Sequence, residues 1–213
     1  MVKTGFAFAI SLCALAGTAL AGEGATESKP AYADDPAVVA KLEALGDQTG
    51  MKLDSARLQG KDLEKWRQQF YRRGPENRNY CVKMVYNPDR QTAFFCGGNH
   101  GAPHKLADAW EYHLGSNTWT LLAPPEVGNP KGIIGLYFGY DAGNDVFLLC
   151  QPGAADKVRA FSLEKNEWTT PEIKGDGPPG NKNLQGYYDP DRNVLVACEG
   201  LSVWVYRYAK HKK

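Results

Sequence analysis

The stretch VYNPDRQTAFFCGG, residues 85–98, decides how the chain reads. It sets an aromatic residue before an Asn-Pro-Asp-Arg turn and follows the turn with an apolar run ending in Cys. The same order returns without gaps in GYDAGNDVFLLCQP at 139–152 and YYDPDRNVLVACEG at 187–200, with the repeated cysteines 54 and 48 residues apart. Downstream, AWEYHLGSNTWTLL at 109–122 aligns with RAFSLEKNEWTTP at 159–171, and Trp119 and Trp168 lie 49 residues apart. SVWVYRY at 202–208 begins a third copy that lacks a Trp strand. Self-similarity at a period near 50 marks stacked supersecondary units, none of which buries its apolar face alone.

Each unit predicts short strands, in the first copy at about 80–86, 91–97, 108–113 and 118–122, separated by NPDR, a Gly-rich loop and GSN. The runs AFFC, VFLLC and VLVAC are apolar at consecutive positions. A sheet covered on one side alternates, so these runs predict sheets covered on both. The Trp strands end at Pro124-Pro125 and Pro171, residues that cannot continue a ladder.

Composition agrees. A hydrophobic fraction of 43% excludes wholesale disorder, and 23 Gly with 13 Pro favour a turn-rich, mainly β fold. With 25 Lys+Arg against 24 Asp+Glu the net charge is +1, which excludes a basic nucleic-acid binder as the leading reading.

Residues 1–21 read as a signal peptide: Lys3, then the uncharged run FAFAISLCALAGTAL, then Ala19-Leu20-Ala21 with cleavage expected after Ala21. No segment has the length of a membrane span. The expectation is an exported protein, periplasmic or extracellular, with a flexible leader at 22–33 and a helical N-terminal segment at 34–79. Its first helix starts at Asp35-Pro36 and stops at Gly46, and a second covers about 61–73.

Export permits disulfides. If Tyr86 faces Gln91 across the NPDR turn, counting outward puts Cys81 opposite Cys96, at a separation where a disulfide or two buried thiols both fit. The same count sets Gly135 and Asn183 opposite Cys150 and Cys198, which read as packing residues.

The pattern YNP…FFCGG…ADAWEYHLGSNTWTLLAPP resembles a kelch repeat, whose marks are a double Gly after an apolar strand, an aromatic strand, and a short turn into a Trp. Gly97-Gly98, Trp110, Tyr112 and Trp119 carry the likeness, which covers about 80–208. In the later copies Gln151-Pro152 and Glu199-Gly200 replace the double Gly. The resemblance implies four-stranded antiparallel blades of a β-propeller, at about 80–125, 132–173 and 183–208. Propellers typically close with four to eight blades. The 134 residues of 80–213 supply fewer than three at roughly 45–50 residues each. The implied fold is a partial or open propeller, completed by a homo-oligomer or left as a shortened remnant of a longer one.

Chemical signatures are sparse. GxSxG, HExxH and phosphate-binding Gly loops do not occur. His100, His104 and Asp108, with His113 nearby, form one concentration of metal-ligand types, although their spacing fits no named site and Asp108 equally suits tying down the loop before Trp110. Copper radical oxidases of the kelch type need a Tyr cross-linked to a Cys and His ligands from separate segments. Here Tyr80 and Cys81 are adjacent and three of the four His share one stretch. The pairs Trp110/Tyr112 and Trp204/Tyr206 read as packing before sugar stacking, and the basic tail reads as a solvated end. The functional expectation is a non-enzymatic binding or scaffold module without a cofactor, recognising a protein or glycan through blade-end loops. The alternative is an oxidoreductase or sugar isomerase completed by another chain.

Overall fold

The structure, a computed structural model, describes residues 31–65, 75, 84–97, 108–124, 137–150, 158–178 and 185–211. It is mainly β. Helix α1 (Pro36–Glu43) begins where the Asp35 carboxylate accepts the Ala37 N–H at 3.0 Å and Pro36 supplies a preset first position. It buries no side chain and is held at its ends, by the Lys41–Asp54 ion pair at 2.7 Å and the Asp35 N–H donated to the Gly115 carbonyl at 2.9 Å. Of the expected second helix, about 61–73, only 61–65 are described, with a turn at 61–62 and helix from 63.

Three sheets follow in chain order. The first holds β2 (Val85–Asn87), β3 (Thr92–Cys96), β4 (Ala109–His113) and β5 (Thr118–Ala123) as an antiparallel meander. Strand β1 (Arg57–Gly60) joins its β5 edge in parallel, Leu58 opposite Trp119. The second sheet is the meander β6 (Tyr137–Asp141), β7 (Val146–Cys150), β8 (Val158–Ser162) and β9 (Glu167–Thr169). The third contains β10 (Gln185–Asp189), β11 (Val194–Glu199) and β12 (Ser202–Tyr206), without a counterpart of β5 or β9 among the described residues. The three sheets do not close a ring among the described residues, and β1 was not anticipated.

Five tight turns share one design. Loops 88–91, 114–117, 142–145, 163–166 and 190–193 each hold four residues, and the last of each takes a positive φ: Gln91 55°, Asn117 48°, Asp145 50°, Asn166 52° and Asn193 53°. Asn and Asp tolerate that left-handed conformation better than other L-residues. Before the loop, a short polar side chain accepts the N–H three residues on: Asn87 from Arg90 at 3.2 Å, Asp141 from Asn144 at 3.2 Å, Ser162 from Lys165 at 3.3 Å and Asp189 from Arg192 at 2.9 Å. A Tyr one residue earlier reaches across to the left-handed residue: Tyr112 to Asn117 at 2.9 Å, Tyr140 to Asp145 at 2.9 Å, and Tyr188 to Asn193.

These turns correct the expected register by two residues. Tyr86 faces Ala93 rather than Gln91, Cys150 faces Tyr137 rather than Gly135, and Cys198 faces Gln185 rather than Asn183. The premise that put Cys81 opposite Cys96 is therefore not met. Cys81 itself lies outside the described residues. Cys150 and Cys198 are free thiols, the first buried and the second half-buried.

Packing follows a repeated rule. Each sheet has a Tyr face and a Cys face, named for residues that recur at matching positions. The Tyr face of the second sheet, with Tyr140, Phe147, Phe161 and Trp168, meets the Cys face of the first, with Phe94, Cys96, Ala109 and Ala123. Phe94 stacks on Phe147 with ring centroids 4.0 Å apart. The Cys face of the second sheet, with Val146, Leu148, Cys150, Val158 and Ala160, meets the Tyr face of the third, with Tyr188, Leu195, Ala197, Trp204 and Tyr206. Every residue of β7 is buried, as the continuous apolar run predicts for a sheet covered on both sides.

Candidate functional site

The first strands of the three sheets, β2, β6 and β10, run beside one another and leave a groove of about 670 Å³ between them. Matching positions of the repeat line it. Tyr86, Tyr140 and Tyr188 come from the residue before the turn polar group; Pro88, Ala142 and Pro190 open the turns; Val85, Gly139 and Tyr187 precede the tyrosines. Met84 and Gly186 complete the wall. Gly139 is required here: a Cβ on it would stand 2.5 Å from the Tyr188 Cβ, so only Gly lets β10 approach β6.

Tyr86 and Tyr187 are 60% and 56% exposed, and they present two aromatic faces at the groove. Tyr140 and Tyr188 are anchored by their turns. Burial, reinforced by Asp145 for Tyr140 and by Asp141 for Tyr188, pushes both phenols well above the ordinary tyrosine range. They remain neutral donors at physiological pH. The lining contains Tyr, Pro, Gly, Met, Val and Ala, without an Asp, Glu, His, Lys, Arg or Cys among its described residues. Such a lining offers aromatic and apolar contact.

Terminal segments brace the turns. At the start, Ala31 donates its N–H to the Arg90 carbonyl at 3.4 Å and Tyr32 donates its hydroxyl to Glu111 at 2.9 Å. At the end, the tail crosses the turns of the second and third sheets. Arg207 donates to the Arg192 carbonyl at 3.0 Å, the Ala209 carbonyl accepts from Asn193 at 2.8 Å, and His211 Nε2 lies 3.0 Å from the fully buried Asp141 carboxylate. The His211 ring occupies the space where a Cβ on Gly143 would sit. Arg207 and His211 stay exposed, as expected of a solvated tail, while making these contacts.

Of the predicted ligand types, His100 and His104 lie outside the described residues. Asp108 is buried and accepts the Trp110 indole N–H at 2.5 Å. His113 is buried on β4, its Nδ1 2.9 Å from Ser116 Oγ and its Nε2 3.6 Å from Asp34. No group of three metal-ligating side chains occurs among the described residues. Trp110 and Trp204 are buried, so the packing reading of those aromatic pairs holds for both indoles. The groove escaped sequence reasoning, although its signal was present in the aromatic residue that precedes each aligned turn. No protein-family model and no curated protein sequence matches the chain.

Proposed function

We propose that this protein is an exported, non-enzymatic binding module that holds an extended protein segment in the groove between β2, β6 and β10. The carrying observation is the pair of exposed rings, Tyr86 and Tyr187, on an apolar groove floored by Gly139 and Gly186 and edged by Pro88 and Pro190. Aromatic grooves of this composition suit prolyl and aromatic side chains on an extended backbone. A glycan fits less well, because its many hydroxyls need polar partners and two of the tyrosine hydroxyls are engaged in their own turns. The partial propeller implied by the repeat supports the same reading, since it sets three matching first strands around one axis.

The test is binding of the purified protein to an array of Pro-rich and aromatic extended peptides and to a glycan array, alongside a Tyr187→Ala variant. Peptide binding weakened roughly tenfold or more in the variant, on the order of 1.4 kcal/mol, supports the proposal. Glycan binding alone, or turnover of a sugar or alcohol with or without added copper, overturns it in favour of the lectin or the enzyme reading.

A further inference from the structure

A second cleft, of about 420 Å³, opens on the first sheet and shares no residue with the groove. It lies between the N-terminal residues Tyr32 and Ala33, strand β1, and the start of β5. Period-two alternation puts Arg57 and Gln59 on one face of β1, both exposed, and sends Leu58 to the other, against Trp110 and Leu121. The parallel register sets Arg57 beside Thr118 and Gln59 beside Thr120. Each long side chain is fastened there. Arg57 Nε donates to Thr118 Oγ1 at 3.4 Å and its Nη2 to the Ser116 carbonyl at 2.9 Å. Gln59 Nε2 donates to Thr120 Oγ1 at 2.8 Å, and the Asp35 carboxylate stands 3.4 Å from the Arg57 guanidinium. The repeat does not require this arrangement. The second sheet has no counterpart of β1 among the described residues, and Ala160 stands where Glu111 anchors the Tyr32 hydroxyl.

The groups left over define the ligand. Arg57 keeps its Nη1 amino group, and Gln59 keeps its Oε1 acceptor and one Nε2 hydrogen, without a further partner among the described residues. The Gln59 amide is an acceptor and a donor side by side in one plane, which matches two neighbouring hydroxyls. The guanidinium is already balanced by Asp35, so an anion gains little from it. Tyr32, its hydroxyl donated to Glu111, offers the cleft ring carbons. We infer that this cleft binds a neutral saccharide, with Gln59 and Arg57 meeting adjacent hydroxyls and Tyr32 meeting the apolar C–H face of the sugar. The volume falls within the roughly 300–1,000 Å³ of small-ligand sites. Side chains already held by Thr118, Thr120 and the Ser116 carbonyl lose little rotamer freedom when the sugar arrives. The groove between β2, β6 and β10 has no amide or guanidinium side chain in its described lining, so the two sites differ in chemistry.

Saturation-transfer NMR and calorimetry with neutral mono- and disaccharides, among them glucose, galactose, N-acetylglucosamine and lactose, test this on the unchanged protein and its variants. At least one sugar is expected to bind with a Kd of about 1 mM or tighter. Gln59→Ala is expected to weaken that binding about tenfold, because it removes the paired acceptor and donor. Arg57→Lys keeps the charge, loses the planar fork and is expected to weaken it several-fold. Both positions are exposed, so circular dichroism and the thermal midpoint should stay unchanged in both variants. Tyr187→Ala alters the groove and should leave sugar binding as it is. No binding by any sugar of the panel overturns the inference, and so does sugar binding that Gln59→Ala leaves intact. Sugar binding lost in Tyr187→Ala would place the sugar in the groove and overturns it as well. A preference for inorganic sulfate, phosphate or acidic sugars over the neutral ones overturns the ligand class.

Discussion

Arg90 and Glu111 form a forked ion pair inside the first sheet, Arg90 Nε to Glu111 Oε1 at 2.7 Å and Nη2 to Oε2 at 2.8 Å. Glu111 is fully buried, and its oxygens also accept the Tyr32 hydroxyl at 2.9 Å and the Thr92 hydroxyl at 2.8 Å. Hydrogen bonding to Glu111 holds the Arg90 guanidinium above even its ordinary high range. One carboxylate thus joins the β2–β3 turn, β3, β4 and the N-terminal segment.

Removing that carboxylate leaves a guanidinium and two hydroxyls without their acceptor. Glu111→Leu is expected to lower unfolding stability by about 3 kcal/mol, the scale for breaking a buried charge pair from one side. Urea denaturation measures it; a loss under about 0.5 kcal/mol, the range of neutral surface changes, would count against the arrangement.

The tyrosine-to-turn bonds separate two residues at the same position of the repeat. Tyr140→Phe deletes the hydroxyl bonded to Asp145 and is expected to cost about 1 kcal/mol. Tyr86→Phe changes an exposed ring and is expected to cost nothing resolvable. Equal effects in the two variants would refute the distinction.

Four of the five left-handed turn positions carry Asn or Asp, and the fifth carries Gln91 at φ 55°. Gln91→Gly relieves that backbone and is expected to stabilise by up to ~1 kcal/mol, while Asn166→Val destabilises by about as much. Denaturation midpoints of the two variants should move in opposite directions.

Alkaline pH should unfold the protein early. Burial, with the Glu111 charge adding to it, pushes the Tyr32 phenol from 10.0 to about 12, and burial alone pushes the Cys150 thiol from 9.0 to about 12. A raised folded-state value means that the unfolded chain loses its protons first. The stabilisation is therefore complete below pH 9 and is lost progressively as pH rises to about 12. A denaturation series across that window, with Tyr32→Phe and Cys150→Ala as controls, measures the slope. Each control should make it shallower; an unchanged slope in both would falsify the assignment.

The tail has its own test. Gly143→Ala puts a methyl group where the His211 ring lies, and is expected to release the residues after Tyr206 without unfolding the sheets. Hydrogen exchange should show lost protection around Ala209 and Asn193, whose amide side chain holds the Ala209 carbonyl. Unchanged protection would mean that the tail is held by other contacts.

The amino-acid sequence by itself determined the repeat, the hairpins and the sheet covered on both faces. Each of these is local: an Asp or Asn turn beside a run such as VFLLC is read within about a dozen residues. Register was nearly legible but slipped by two, because each loop runs to four residues and ends on a left-handed one, after which pairing resumes. The RLQG segment carries no alternation that marks β1, and it becomes a strand only because the β5 edge offers free backbone groups. The tertiary structure alone decided that Arg207 and His211 fold back onto turns, that Gly139 lets two first strands touch, and that Val205 is bare while its counterpart Ala160 is sealed. These outcomes depend on which sheet lies over which, and side chains identical in local pattern differ only in what has been stacked against them.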